Sequence, residues 1–221
     1  KQPMQHTTFH AFCIAAPRSG EGKTTASIAL MRALARRGLR VQGFKCGPDY
    51  IDPTFHAQAT GLPACNLDTW MMGRDGVRAL WDSRAHDADA AVCEGVMGLF
   101  DSRDPGDPAG GTADCARALG PPVLLRQALE RANLPPLFGA LPRREEWRLP
   151  ERHLGLLPSE EAGTTAAWLD ALAEIAEQHL DIDRLLALTT SKRPEAPAPL
   201  PSENVRPRRM GIAKDKAFCF Y

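Results

Sequence analysis

The segment Pro17-Arg-Ser-Gly-Glu-Gly-Lys-Thr24 places a lysine and a hydroxyl directly after two closely spaced glycines. That is the spacing of a phosphate-binding loop, with Pro17 where the usual first glycine stands. Gly20 and Gly22 let backbone amides approach phosphate oxygens. Lys23 reaches the β and γ phosphates, and Thr24 offers its hydroxyl to Mg²⁺ at a helix N-terminus. Ser19, Glu21 and Thr25 complete the run expected to contact the nucleotide. An ordinary glycine-rich turn would need no lysine or threonine here, and the strand and helix that this motif requires are both predicted around it.

Two further loops carry acidic groups. Phe44-Lys-Cys-Gly-Pro-Asp-Tyr-Ile-Asp-Pro53 gathers Lys45, Asp49 and Asp52 around a Gly-Pro turn. Asp49 suits Mg²⁺, directly or through water, because that ion takes oxygen ligands and keeps several waters. Asp52 either joins it or only shapes the turn before Pro53, and Lys45 is read as a phosphate-side cation rather than a surface charge. Cys93-Glu-Gly-Val-Met-Gly-Leu-Phe-Asp101 supplies Glu94, the carboxylate expected opposite the phosphate loop, whereas Asp101 is either a site residue or a turn former. His56 and His86 have no partner at metal-ligand spacing and are read as surface or core residues.

These loops need a frame that presents them together. Phe12 to Ala16 reads as a strand, Lys23 to Arg37 as a helix stopped by Gly38, and Leu39 to Phe44, Ala88 to Cys93 and Pro122 to Leu125 as further strands. Alternating strands and helices predict an α/β fold: a P-loop NTPase-like, mostly parallel sheet with helices on both faces. Ligands then sit beyond the carboxyl ends of the strands, where all three loops fall. Pro136 to Leu141 is a further strand candidate, and Ser159 opens a helical region reaching about Leu188. Ser102 to Gly111 reads as a mobile loop. The strand ending at Leu125 runs into a helical pattern, Arg126 to Ala132, without a turn, which points to sequence missing between 125 and 126.

The chain of 221 residues has 27 basic and 27 acidic side chains, a balance that argues against nucleic acid or a membrane surface held by bulk charge. No apolar run approaches the ~20 residues of a membrane span. The six cysteines form no Cys-x-x-Cys pair and are read as reduced packing residues of a cytoplasmic protein. Five prolines between Ser191 and Arg209 mark a stiff linker. The expected organisation is a synthetase domain over 1–190, the linker over 191–209, and over 210–221 the start of a further domain, truncated.

Taken together, Ala16 to Thr25, Phe44 to Pro53, Asn66-Leu-Asp68 and Glu94 to Asp101 resemble the cobyrinate or hydrogenobyrinate a,c-diamide synthase family. The resemblance extends through Leu137 to Arg143 and to Met210 to Tyr221, which looks like the opening of that family's glutaminase domain. It implies a dethiobiotin-synthetase-like fold and an ATP- and Mg²⁺-dependent ligase of cobalamin biosynthesis that amidates the a and c acetate groups of a corrinoid. The carboxylate is activated as an acyl phosphate and then meets ammonia drawn from glutamine. By the same resemblance Lys23, Thr24, Asp49 and Glu94 organise ATP and Mg²⁺, Lys45 supports the phosphates, and Tyr50, Ile51 and Asp101 lie towards the corrinoid. A homodimer is compatible with it. The pattern departs from the family at Ser102, where glycine is common, after Leu125, and beyond Tyr221, where the glutaminase nucleophile would follow. The competing class is a nucleotide-switched, partner-binding ATPase of the partitioning and septum-positioning kind, whose signature lysine is here Arg18. A ligase of another substrate does not account for Pro48 to Pro53.

Overall fold

The computed structural model describes residues 8–101, 109–121, 123–125, 139–142, 147, 149, 151–152, 155–156 and 163–198. The 125/126 junction, the Arg126 to Ala132 pattern, most of the Ser102 to Gly111 loop, Ser159 and everything past 198 lie outside these residues.

Strand β1 (Phe9–Ala15) is buried along nearly its whole length, as a strand covered on both faces requires. Helix α1 (Lys23–Arg36) turns Ile28, Met31 and Leu34 into the core and closes at Gly38, whose φ of 87° suits glycine. There follow β2 (Val41–Cys46), α2 (Asp52–Thr60), β3 (Cys65–Leu67), α3 (Thr69–Ala85), β4 (Ala90–Glu94), α4 (Thr112–Leu119) and β5 (Val123–Leu125). A two-stranded pair, β6 (Glu151–Arg152) and β7 (Gly155–Leu156), precedes α5 (Ala166–His179), α6 (Ile182–Leu188) and β8 (Thr190–Ser191).

The main sheet runs β3-β2-β4-β1-β5 with all of these pairs parallel, and β8 pairs antiparallel with the start of β1. β4 therefore lies between β2 and β1, and its register opposes Glu94 to Lys45 on one side and to Ile14 on the other. One apolar core fills the face under α1, α2 and α5, with Phe12, Met31, Phe55 and Leu172 among its members. A second fills the opposite face under α3 and α4, where Phe44 stacks on Trp81 at 4.7 Å. The predicted layers are thus the observed ones.

The differences lie at element ends. β2 begins at Val41 rather than Leu39 because the Leu39 amide donates back to Leu34 in the helix cap and cannot join a ladder. β4 runs on through Glu94, which makes that carboxylate a strand residue. Helix α5 is capped at Thr165, whose side chain accepts from the Trp168 amide, and the helical region breaks at Leu180 before α6. Of the expected strand over Pro136 to Leu141 only 139–141 are described, and Gly139 makes an isolated bridge to Leu180. Ser191, the first linker residue, is held against Phe9 in the sheet. Among the described residues no helix is long and apolar enough to cross a membrane.

Candidate nucleotide site

The phosphate loop leaves β1 at Ala16 and enters α1 through Gly22, which adopts φ 79° and so takes a left-handed turn that a side chain would strain. This places the free amides of the first turn of α1, with Lys23 and Thr24, beyond the carboxyl end of the sheet. Ser19, Gly20 and Gly22 are exposed, Glu21 and Thr25 partly so, and Arg18 pairs with Glu21 at 2.6 Å within the loop. The neighbouring loop presses close: a Cβ on Gly98 would stand 2.5 Å from the Pro17 carbonyl, and the Leu99 amide donates to Ala16. Gly98 is therefore required by contact with the phosphate loop.

Four side chains meet at this end. The Thr24 hydroxyl donates to Glu94 Oε1 at 2.6 Å and lies 3.3 Å from Asp52 Oδ2. Lys45 Nζ lies 2.7 Å from Asp52 and 3.0 Å from Glu94, and also donates to the Gly95 carbonyl. The register explains the second contact, since Lys45 and Glu94 are direct neighbours on adjacent parallel strands. α2 supplies Asp52 and, one turn on, a fifth member. Asp52 faces Lys45, and His56, fully buried, donates from Nε2 to Glu94 Oε2 at 2.7 Å.

The charges are interlocked. Burial pushes the Glu94 carboxyl up, but the Lys45 ammonium and the His56 and Thr24 hydrogen bonds outweigh it and hold Glu94 well below the ordinary carboxylate range. Burial pulls Lys45 down, while Glu94 and Asp52 together raise it above its usual value. Lys23 is lowered, by burial first and by Lys45 second. Asp52 is raised to about 6 by burial and by Glu94, against the pull of Lys45. Its ordinary value is 3.8, so the unfolded chain releases this proton first and stability falls as pH rises from about 4 to about 6. Asp52→Asn is accordingly expected to raise the melting temperature of the ligand-free chain at pH 8, by an amount that shrinks to nothing near pH 4. The ceiling is on the order of 3 kcal/mol. Thermal melts of both chains across that range check it, and an equal gain at every pH would contradict it.

Of the residues singled out from sequence, Lys23, Thr24, Lys45 and Glu94 come together here. Asp49 stands one step back: its Oδ1 accepts from the Ile51 and Asp52 amides, shaping the entry to α2, and its Oδ2 is 3.9 Å from Lys45. Tyr50 is exposed at the same edge, while Ile51 packs partly against the core. Asp101 is exposed and accepts from the Gly98 amide at 2.8 Å, holding the turn beside the phosphate loop. His56 is the residue that sequence spacing missed. Its offset of four from Asp52 on a short helix is the cue that was available.

A loop whose amides crown a helix, with a lysine, a threonine and strand-end carboxylates beside it, defines a nucleotide-binding domain, and residues 12–102 match the CobQ/CobB/MinD/ParA nucleotide binding domain. Within that class the chain is similar to hydrogenobyrinate and cobyrinate a,c-diamide synthases. It is 41% identical to the hydrogenobyrinate a,c-diamide synthase of Rhodobacter capsulatus, over 94% of this chain and 57% of the relative. It is 39% identical to the cobyrinate a,c-diamide synthase of Syntrophotalea carbinolica, over 94% and 55%. It is 38% identical to the hydrogenobyrinate a,c-diamide synthase of Mesorhizobium japonicum, over 96% and 58%. The chain thus spans a little over half the length of the curated relatives it matches. These alignments run over 254, 255 and 259 residues, more than the 221 of the chain, so the relatives carry residues inside the aligned region that this chain lacks.

Proposed function

We propose that the chain is the ATP-dependent synthetase portion of an amidoligase that converts the a and c acetate carboxylates of cobyrinic or hydrogenobyrinic acid to amides. The observation that carries the reading is the convergence of Thr24, Lys45, Asp52 and Glu94 within hydrogen-bond reach beside the amides of α1. A cluster of hard oxygen donors at a phosphate-binding helix end fits Mg²⁺. Thr24 and Glu94 would hold the ion, with Asp52 nearer to them than Asp49, which braces the loop from behind. When bound, Mg²⁺ neutralises charge on the phosphates.

A carboxylate is a poor acyl donor because oxide would have to leave. Transfer of the γ-phosphoryl group to it creates a phosphate leaving group, which ammonia displaces. Positioning and charge neutralisation carry the first step, and Lys23 is the cation for it. Lys45, locked between Asp52 and Glu94, keeps those carboxylates ionised and in register with Thr24. Tyr50 and Asp101 flank the space where the corrinoid carboxylate would approach, while Ile51 packs against the core. Ammonia comes from glutamine through a domain that follows the Pro-rich stretch, and the reaction is cytoplasmic. The length of the alignments supports a missing internal segment, and the turnless run from Leu125 into Arg126 is the reason for locating it there.

The test is turnover with ATP, Mg²⁺, either corrinoid acid and an ammonium salt. ADP should form only when corrinoid is present, and hydroxylamine in place of ammonium should trap a corrinoid hydroxamate. ADP formation indifferent to corrinoid, together with nucleotide-dependent dimerisation, would instead assign the chain to the switch ATPases.

A further inference from the structure

Behind Lys45 and Glu94, on the opposite face of the same strands, lies a group of thiols that the nucleotide site does not use. Side chains alternate along a strand, so Cys46, next to Lys45, and Cys93, next to Glu94, both point into the core under α3 and α4. Cys13 of β1 is the direct register partner of Cys93. The Cys46 and Cys93 sulfurs are 3.4 Å apart, and the sulfurs of Cys13, Cys46 and Cys93 all lie within 4.8 Å of one another. Cys115, on α4, belongs to the same buried cluster. The four residues are no more than 2% exposed and are walled by Phe44, Leu67, Val77 and Trp81.

Sulfur ligands about 2.3 Å from a common tetrahedral ion stand roughly 3.8 Å from each other. Three strand thiols already approach that spacing, and Cys115, buried beside them in the same core, offers a fourth. We propose that Cys13, Cys46, Cys93 and Cys115 form a binding site for one thiophilic divalent cation of the zinc class. On binding, each S–H bond breaks and its proton goes to solvent while a sulfur–metal bond forms, and no electrons are transferred. Thiolates select such an ion over the hard Mg²⁺ suited to the oxygen donors on the other face. Because the site is sealed, the ion enters as the domain folds. It would tie β1, β2 and β4 together directly behind the residues that line the nucleotide site.

The chain is refolded from denaturant with a phosphine reductant and Cd²⁺, desalted, and assayed for metal, ultraviolet absorption and thermal unfolding. One retained equivalent of Cd²⁺ is expected, with a thiolate-to-cadmium charge-transfer band and a raised melting temperature. The band should survive Cys65→Ala and vanish in Cys46→Ala/Cys93→Ala. A folded wild-type chain that retains no Cd²⁺, or retains it without the charge-transfer band, overturns the site, and these two readings decide the matter even where the double variant fails to fold. Retention of the band in a folded double variant overturns it equally.

Discussion

Replacing Lys23 with alanine is expected to abolish ATP-dependent phosphoryl transfer while leaving thermal unfolding nearly unchanged. Lys23 opens α1 and is only half-buried, and its ammonium is pushed down by burial and by the neighbouring Lys45. An ammonium in that setting gains from an added anion, which a bound phosphate supplies. Removing it from the ligand-free chain relieves repulsion, and alanine keeps the helix. The loss falls on the transferred phosphoryl group, where one charged contact is worth a factor of roughly 10² to 10³ in rate. The rate of ADP formation beside a melting curve checks this. An unchanged rate would exclude the loop from the chemistry, and a collapsed melt would make Lys23 a structural residue.

Glu94 is expected to behave in the opposite way, with both stability and nucleotide binding at stake. It is fully buried and accepts hydrogen bonds from Thr24, Lys45 and His56. Glu94→Ala takes one of the two close carboxylates from Lys45, leaving Asp52, and strips His56 of its Nε2 partner in a sealed setting. Breaking a buried ion pair from one side costs about 3–5 kcal/mol, so the variant should melt far below the parent. Glu94→Gln keeps the shape and should lose less stability, yet it removes the anionic oxygen offered to Mg²⁺. Its nucleotide affinity should fall at least roughly tenfold and lose most of its Mg²⁺ dependence. Melts and nucleotide titrations with and without Mg²⁺ separate the two effects. Acid probes the same carboxylate. Its value is held below the ordinary 4.5, so the stability that it contributes is present above that pH and is lost as pH falls below it. Asp52 works in the other direction, destabilising the ligand-free chain above about pH 6. One network therefore contains a carboxylate that secures the fold and another held ionised at a cost to it.

The phosphate loop was legible because its chemistry is local: two glycines, Lys23 and Thr24 act through backbone turns and a helix end that a few residues specify. Glu94 and Lys45 were legible from their position at strand ends, although their contact was not. That contact depends on β4 lying between β2 and β1, an order that sequence alternation does not specify. The same order hid the thiols, since Cys13, Cys46 and Cys93 are widely separated in the chain and meet only when three strands are set in register. β3 was invisible for a different reason: three residues between a proline and a helix cap offer too short a pattern to read. Asp52 and His56 share a helix whose polar faces turn inward to the network, and a core-facing pattern of apolar residues gives no sign of that.

Service of a corrinoid carboxylate by this nucleotide site is checked by calorimetric titration of the chain with hydrogenobyrinic and cobyrinic acids, in Mg²⁺ and a non-hydrolysable ATP analogue. Saturable corrinoid binding that strengthens when the nucleotide is present is the expected result, and the preferred acid identifies the metal state of the substrate. Nucleotide binding with no corrinoid binding in either form would contradict it.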